Sequence, residues 1–250
     1  MQKILAITNQ KGGVAKTTTA VNIAHGLAQL ERRVLLVDFD PQGQCATCLA
    51  VNSEPGVFNV LINPATDIHQ WIRQTGRPGL EILPGNQTTA TAQIVLSAEN
   101  RPISAIYQVL APLSKEYDFI ILDTAPSVGG IQERAIYAAH LVLVPTATEF
   151  MSMDGLTNTM ELLQKMRSDA HWAGGLVGVL PTFFDDQTTE STKSMQDLHG
   201  TFSDYVLSPI HRATVLRECA AEGKTIYEKD PACRSTREYS QLSREIVRRS

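Results

Sequence analysis

Lys3-Ile4-Leu5-Ala6-Ile7-Thr8-Asn9-Gln10-Lys11-Gly12-Gly13-Val14-Ala15-Lys16-Thr17-Thr18-Thr19 opens the chain with an apolar run, a glycine pair and a cluster of lysine and hydroxyl side chains. The run from Lys3 to Thr8 has the length and composition of a buried strand, and the residues from Lys16 onward have the pattern of a helix. Between them, Gly12 and Gly13 let the backbone approach a polyphosphate. The start of the following helix supplies unpaired N–H groups and the positive end of its dipole. Lys16 is then placed to contact the β- and γ-phosphates, and the Thr17 hydroxyl to ligate Mg²⁺. The expected nucleotide contacts are Gly12, Gly13, Val14, Ala15, Lys16, Thr17 and Thr18. Alanine is strained at positive φ and comfortable at negative φ, so Ala15 is expected to sit compatibly where the helix begins.

Working outward, the same alternation of short apolar runs and helical patterns continues to the end of the chain. Strands are expected over 3–8, 33–38, 80–83, 118–123, 141–145 and 175–181, and helices over 16–30, 103–115, 129–139, 153–168 and 234–248. Continuous Val, Ile and Leu runs followed by helix-sized segments require a sheet buried on both faces. The fold class is therefore α/β, a doubly wound, mostly parallel sheet with helices on both faces. The cluster Gly76-Arg77-Pro78-Gly79 reads as a turn before a strand, and residues 1–250 as one domain.

Two further elements carry carboxylates where such sheets place ligands, at the carboxyl ends of strands. Val37-Asp38-Phe39-Asp40-Pro41-Gln42-Gly43 follows the second strand, and Asp118-Phe119-Ile120-Ile121-Leu122-Asp123 ends in an acid. One carboxylate of the first pair can orient or deprotonate an attacking water while the other supports the metal's surroundings.

The loop from Lys11 to Thr18 resembles the deviant Walker A motif K-G-G-x-G-K-[ST]-[ST] of the ParA/MinD superfamily, with Ala15 the single departure. Asp38 to Gly43 is similar to the family's D-x-D-P-Q-G, and 118–123 to its Walker B strand. Val144-Pro145, Asp154-Gly155-Leu156 and Gly223-Lys224 extend the resemblance over nearly the whole chain. It implies a slow, partner-stimulated ATPase using ATP and Mg²⁺, in which Asp40 positions water, Asp38 lies behind the Mg²⁺ and Asp123 reaches the metal through water. Lys11 then crosses a homodimer interface to the partner's nucleotide, much as an arginine finger supplied in trans.

Composition narrows the alternatives. Net charge is −4, yet residues 210–250 hold nine Lys and Arg against six Asp and Glu, leaving 13 against 20 before them. A basic end on an acidic body suggests a local polyanion contact. The stretch 210–218 resembles the ParA segment that carries DNA-binding arginines. Arg212 matches one of them, Arg217 substitutes for another whose place Val215 takes, and Arg234 and Arg237 begin the last helix. These imply nonspecific double-stranded DNA as a partner. No stretch reaches the ~18 apolar residues of a membrane span, and Glu238–Ser250 makes a weak amphipathic anchor, so no membrane partner is expected and a MinD-like membrane-associated positioning ATPase stands as an alternative. A cytoplasmic, nucleoid-associated location is expected. An iron–sulfur reductase of this fold lacks its cysteines, since none occurs from 49 to 218. An ATP-dependent biosynthetic enzyme remains the other alternative.

No N-terminal helix-turn-helix extension is present, so operator binding is not expected. The resemblance leaves the cargo open between a plasmid, a chromosome and a carboxysome-type organelle reached through a ParB-like or McdB-like adaptor. Cys45, Cys48, Cys219 and Cys233 lack the paired spacing of structural zinc and read as reduced thiols, with Cys45-x-x-Cys48 as a redox or metal motif the alternative. The histidines are scattered, and Phe183-Phe184 reads as core packing ahead of a place near an adenine.

Overall fold

The computed structural model describes residues 2–126, 130–149 and 153–250, with the side chains of residues 153 and 154 left aside. The described chain runs β1 (Lys3–Ile7), α1 (Lys16–Gln29), β2 (Val34–Asp38), α2 (Gln44–Cys48), α3 (Val57–Ile62), β3 (Arg73–Arg77), β4 (Leu80–Leu83), α4 (Thr88–Ala98) and α5 (Ala105–Leu110). It continues through β5 (Phe119–Asp123), α6 (Ile131–Ala138), β6 (Leu141–Ala147), α7 (Met153–Ala170), β7 (Gly175–Thr182), α8 (Thr189–Phe202), α9 (Thr214–Glu222), α10 (Ile226–Lys229) and α11 (Arg234–Arg249). The strands form one sheet in the order β3-β4-β2-β5-β1-β6-β7. All neighbours are parallel except β3 and β4.

Burial on both faces explains the strand sequences. Ile4 and Ala6 of β1 join one apolar cluster with Leu35, Val37, Ile120 and Leu122. Leu5 and Ile7 point the other way and pack with Val34, Leu36, Ile121 and residues of α1 and α11. Because alternate side chains of a strand face opposite sides, a sheet sandwiched between helices needs apolar residues at every position.

All six expected strands are present, and four expected helices match α1, α6, α7 and α11 within two residues. Residue 129, where the third helix was expected to begin, and the side chain of Asp154 lie outside the described residues. The segment 103–115 differs: α5 ends at Leu110 and a 3₁₀ turn follows over Ala111–Lys115. Pro112 has no N–H to give an α-helical ladder. The hairpin strand β3 carries no apolar pattern because it lies at the sheet edge and is half exposed. Helix α8 was equally silent, since its buried face uses Ser191 and Ser194 beside Leu198. Those hydroxyls are satisfied at Thr148: Ser194 Oγ donates to its carbonyl at 3.0 Å, and Ser191 Oγ lies 3.3 Å from its hydroxyl.

Candidate nucleotide and metal site

The parallel ladder brings the three motifs together. β1, β5 and β2 are consecutive in the sheet, with Ile7 level with Asp123 and Asp123 level with Asp38. The loop after β1 therefore emerges beside both carboxylates, at the point where chain connections leave for opposite sides of the sheet.

Asn9 starts the loop's turn: its buried amide donates to the Pro145 carbonyl at 2.8 Å, and its Oδ1 accepts the Lys11 N–H at 2.9 Å. Farther along, the Thr182 hydroxyl donates to the Val14 carbonyl at 3.2 Å. Between these anchors a Cβ on Gly12 or Gly13 would meet nothing within 4 Å, so the glycine pair lines an open cradle. Asn9 and Thr182 carry no motif signal; only the neighbouring strands reveal them as positioning residues.

Ala15 is the N-terminal flanking residue of α1, with φ 63° and ψ 32°. This overturns the expectation that alanine is at ease there. An L-residue in left-handed backbone costs roughly 1–2 kcal/mol relative to glycine's freedom at that angle, and the glycine of the related motif has its physical reason here.

Lys16 is 7% exposed and its Nζ donates to the Lys11 carbonyl at 2.9 Å. Burial lowers the pKa of its ammonium, against the pull of Asp123 and Asp40. The Thr17 hydroxyl donates to Asp123 Oδ2 at 2.7 Å. A hydroxyl that gives its proton to a carboxylate keeps its lone pairs for a cation. The second oxygen of Asp123 is buried with no hydrogen-bond partner. Burial pushes the Asp123 carboxyl up to about 6, opposed by the Thr17 and Cys45 hydrogen bonds and by Lys16. Asp38 is wholly buried and accepts the N–H groups of Asp40 at 2.9 Å and Cys45 at 3.1 Å. Its carboxyl is held well above the usual range by burial first and by Asp123 second. Two buried acids, an orphaned oxygen and a hard hydroxyl donor fit Mg²⁺ chemistry.

Asp40 is half-buried and uses Oδ1 to cap the Gln42 N–H at 2.9 Å. The loop carrying it folds tightly against 84–86, where a Cβ on Gly85 would lie 2.5 Å from the Asp38 carbonyl. Beside the phosphate loop opens a cleft of about 550 Å³, within the range of small-ligand sites. Lys11, Phe183, Arg212, Leu216 and Arg217 are among its walls. Phe183 thus faces the cleft rather than the core, on backbone at φ 53°, while Phe184 packs edge-on against His211.

The four expected DNA-contacting arginines do not share one setting. Arg212 and Arg217 border the cleft, and Arg212 pairs with Glu149. Arg234 pairs with Glu238 at 2.9 Å and lies 3.6 Å from Asp186. Arg237 donates to the Ala232 carbonyl at 2.6 Å. Glu238 also accepts from His211, which ties the segment before Arg212 to α11.

A glycine cradle, a buried lysine and a hydroxyl–carboxylate pair at the ends of parallel strands define a P-loop nucleotide-binding protein. A family model described as an AAA domain matches residues 2–172. The sporulation initiation inhibitor protein Soj of Bacillus subtilis is 35% identical over 255 residues, covering 99% of each chain. The chromosome partitioning protein ParA of Myxococcus xanthus is 32% identical over 251 residues, 99% of this chain and 88% of that one. Cobyrinic acid a,c-diamide synthase from Mycobacterium smegmatis, solved with a bound ATP analogue and magnesium, superposes with a TM-score of 0.85 at 28% identity, over 99% of this chain and 95% of that one. The chain belongs to the ParA/MinD family.

Proposed function

We propose that residues 1–250 act as one ATPase domain, a dimerising switch that binds nonspecific DNA in its ATP state and positions a cargo through an adaptor protein. The observation that carries this reading is the coupling of the two loop lysines. Lys16 is buried and holds the Lys11 carbonyl, which sets the backbone of Lys11 at the rim of the cleft. The name of the ParA relative, a chromosome partitioning protein, favours partition over the biosynthetic role of the synthase.

ATP with Mg²⁺, when bound, supplies the transferable phosphoryl group and the divalent charge. Gly12, Gly13 and the N–H groups of the loop cradle the phosphates, and Lys16 neutralises them inside a poorly solvated site. Thr17 and Asp123 hold the metal's surroundings, with Asp38 behind them. Asp40, the more accessible of the β2 acids, orients the attacking water. Lys11 acts on the nucleotide of a second copy and makes turnover depend on the dimer.

The apolar face of α11 supports DNA over membrane, because Tyr239, Leu242 and Ile246 are already packed in the core. The test is fluorescence anisotropy on random-sequence duplexes across a salt series. Binding should require ATP and Mg²⁺, ignore sequence, and fall with salt at a log–log slope of about −0.9 per neutralised phosphate. Replacing Arg212, Arg217 and Arg234 together by Ala should flatten that slope and leave ATP-dependent dimerisation intact. No binding at low salt, with sedimentation on anionic liposomes instead, would transfer the protein to the membrane-switch class.

A further inference from the structure

The thiol of Cys45 points into the paired acids. Its Sγ–H donates to Asp123 Oδ2 at 3.3 Å, while its backbone N–H donates to Asp38 at 3.1 Å. Asp38, Cys45 and Asp123 each offer one ligand atom, all within 4.8 Å of one another, and all three residues are buried. Asp123 adds the orphaned Oδ1, a fully buried oxygen with no partner.

We propose that Cys45, Asp38 and Asp123 form a site for a borderline-soft divalent cation of the Zn²⁺ type, overlapping the Mg²⁺ position at Asp123. The geometry favours it. Zn–S and Zn–O bonds of about 2.3 and 2.0 Å at a tetrahedral angle set sulfur and oxygen about 3.5 Å apart, close to the 3.3 Å observed. Mg²⁺ has no use for a thiolate, whereas Zn²⁺ and Co²⁺ bind it readily. Thr17 Oγ1, 2.7 Å from Asp123 Oδ2, stands nearby as a fourth donor. In the metal-free chain the Cys45 thiol is a hydrogen-bond donor to Asp123. On uptake the S–H bond breaks, the proton leaves to solvent and a sulfur–metal bond forms. Two carboxylates and one thiolate then surround the cation. Because Asp123 serves both metals, thiolate-bound cation and Mg²⁺-nucleotide exclude each other. This exclusion rests on the nucleotide reading above; the thiolate site itself does not.

Co²⁺ added to the nucleotide-free full-length chain tests the site directly. One Co²⁺ per chain should produce a thiolate-to-cobalt charge-transfer band. Cys45→Ser should weaken Co²⁺ binding by at least about 100-fold, the upper end of what loss of a mere outer partner costs. Cys48→Ser, Cys219→Ser and Cys233→Ser should leave band and affinity unchanged. No band in the wild type, or a band that survives Cys45→Ser, overturns the proposal. X-ray absorption on the Zn²⁺-loaded wild type covers the case of a Cys45 variant that misfolds: one sulfur neighbour supports the site, and none overturns it. Adding Mg²⁺-ATP should abolish the Co²⁺ band. A band that persists while ATP is bound refutes the shared carboxylate, and a chain that shows the band but binds no ATP refutes the nucleotide reading alone.

Discussion

Lys16 and Arg234 are both cations held by oxygen acceptors, but they sit in different media. Lys16 is almost wholly enclosed, its partner is a backbone carbonyl, and its neighbours are carboxylates at the ends of two strands. Arg234 has a side chain 54% exposed; of its partners Asp186 lies on the surface, and Glu238 is half-buried at the rim. A buried charge works at low effective dielectric and is costly to leave unpaired, while an exposed pair contributes about 0–1 kcal/mol and is screened by salt. The phosphate loop is therefore a site whose charges await a ligand. In the basic C-terminal region Arg212 and Arg234 already hold carboxylates, which the proposed polyanion would have to displace.

That contrast breaks first at Lys16. Lys16→Ala should weaken ATP binding by about 100-fold or more, since a desolvated polyphosphate loses its main cation; calorimetry showing near-native affinity would remove the loop from the site. Lys11→Ala should spare nucleotide binding by the monomer and abolish the ATP-driven dimer, so an unaltered dimer in sedimentation with ATP would place Lys11 outside the interface.

Asp123 sharpens the comparison through pH. Its carboxyl is raised to about 6 in the folded chain from an ordinary 3.8, so the folded state binds the proton more tightly than the unfolded state does. Its contribution to stability is full below pH 4 and is lost as pH rises through about 6. Asp123→Asn should remove Asp123's share of that slope, leaving the share of Asp38, and stabilise the nucleotide-free chain at pH 7, by on the order of 1–3 kcal/mol. It should also impair Mg²⁺-dependent nucleotide binding. Thermal melts from pH 4 to pH 8 without nucleotide would show it, and a destabilised variant at pH 7 would contradict the assigned burial cost.

At the surface, losing the carboxylate pairs of Arg212 and Arg234 should cost no more than about 1 kcal/mol each. A collapse of Tm in the triple alanine variant would mean that these arginines build the fold. The smallest effect belongs to Ala15→Gly. Relief of left-handed backbone is partly offset by glycine's greater freedom when unfolded, which leaves a net gain on the order of 0.5 kcal/mol. A lower Tm would show that the methyl group makes a compensating contact.

The sequence by itself determined the six parallel strands of the sheet, the glycine cradle with Lys16 and Thr17, and the acids at the ends of β2 and β5. Each follows from local chemistry: continuous apolar runs demand two-sided burial, and carboxylates after such runs fall at the ligand edge. Only the tertiary structure decided the rest. The polar face of α8 and the half-exposed β3 lack a hydrophobic period because their partners are hydroxyls and one edge neighbour. The left-handed backbone of Ala15 is set by how the loop enters α1. Phe183 reached the cleft, and the Cys45 thiol reached Asp123, because residues 78 positions apart meet where parallel strands end together. Spacing along the chain carries no signal for a meeting of that kind, which depends on sheet order and register.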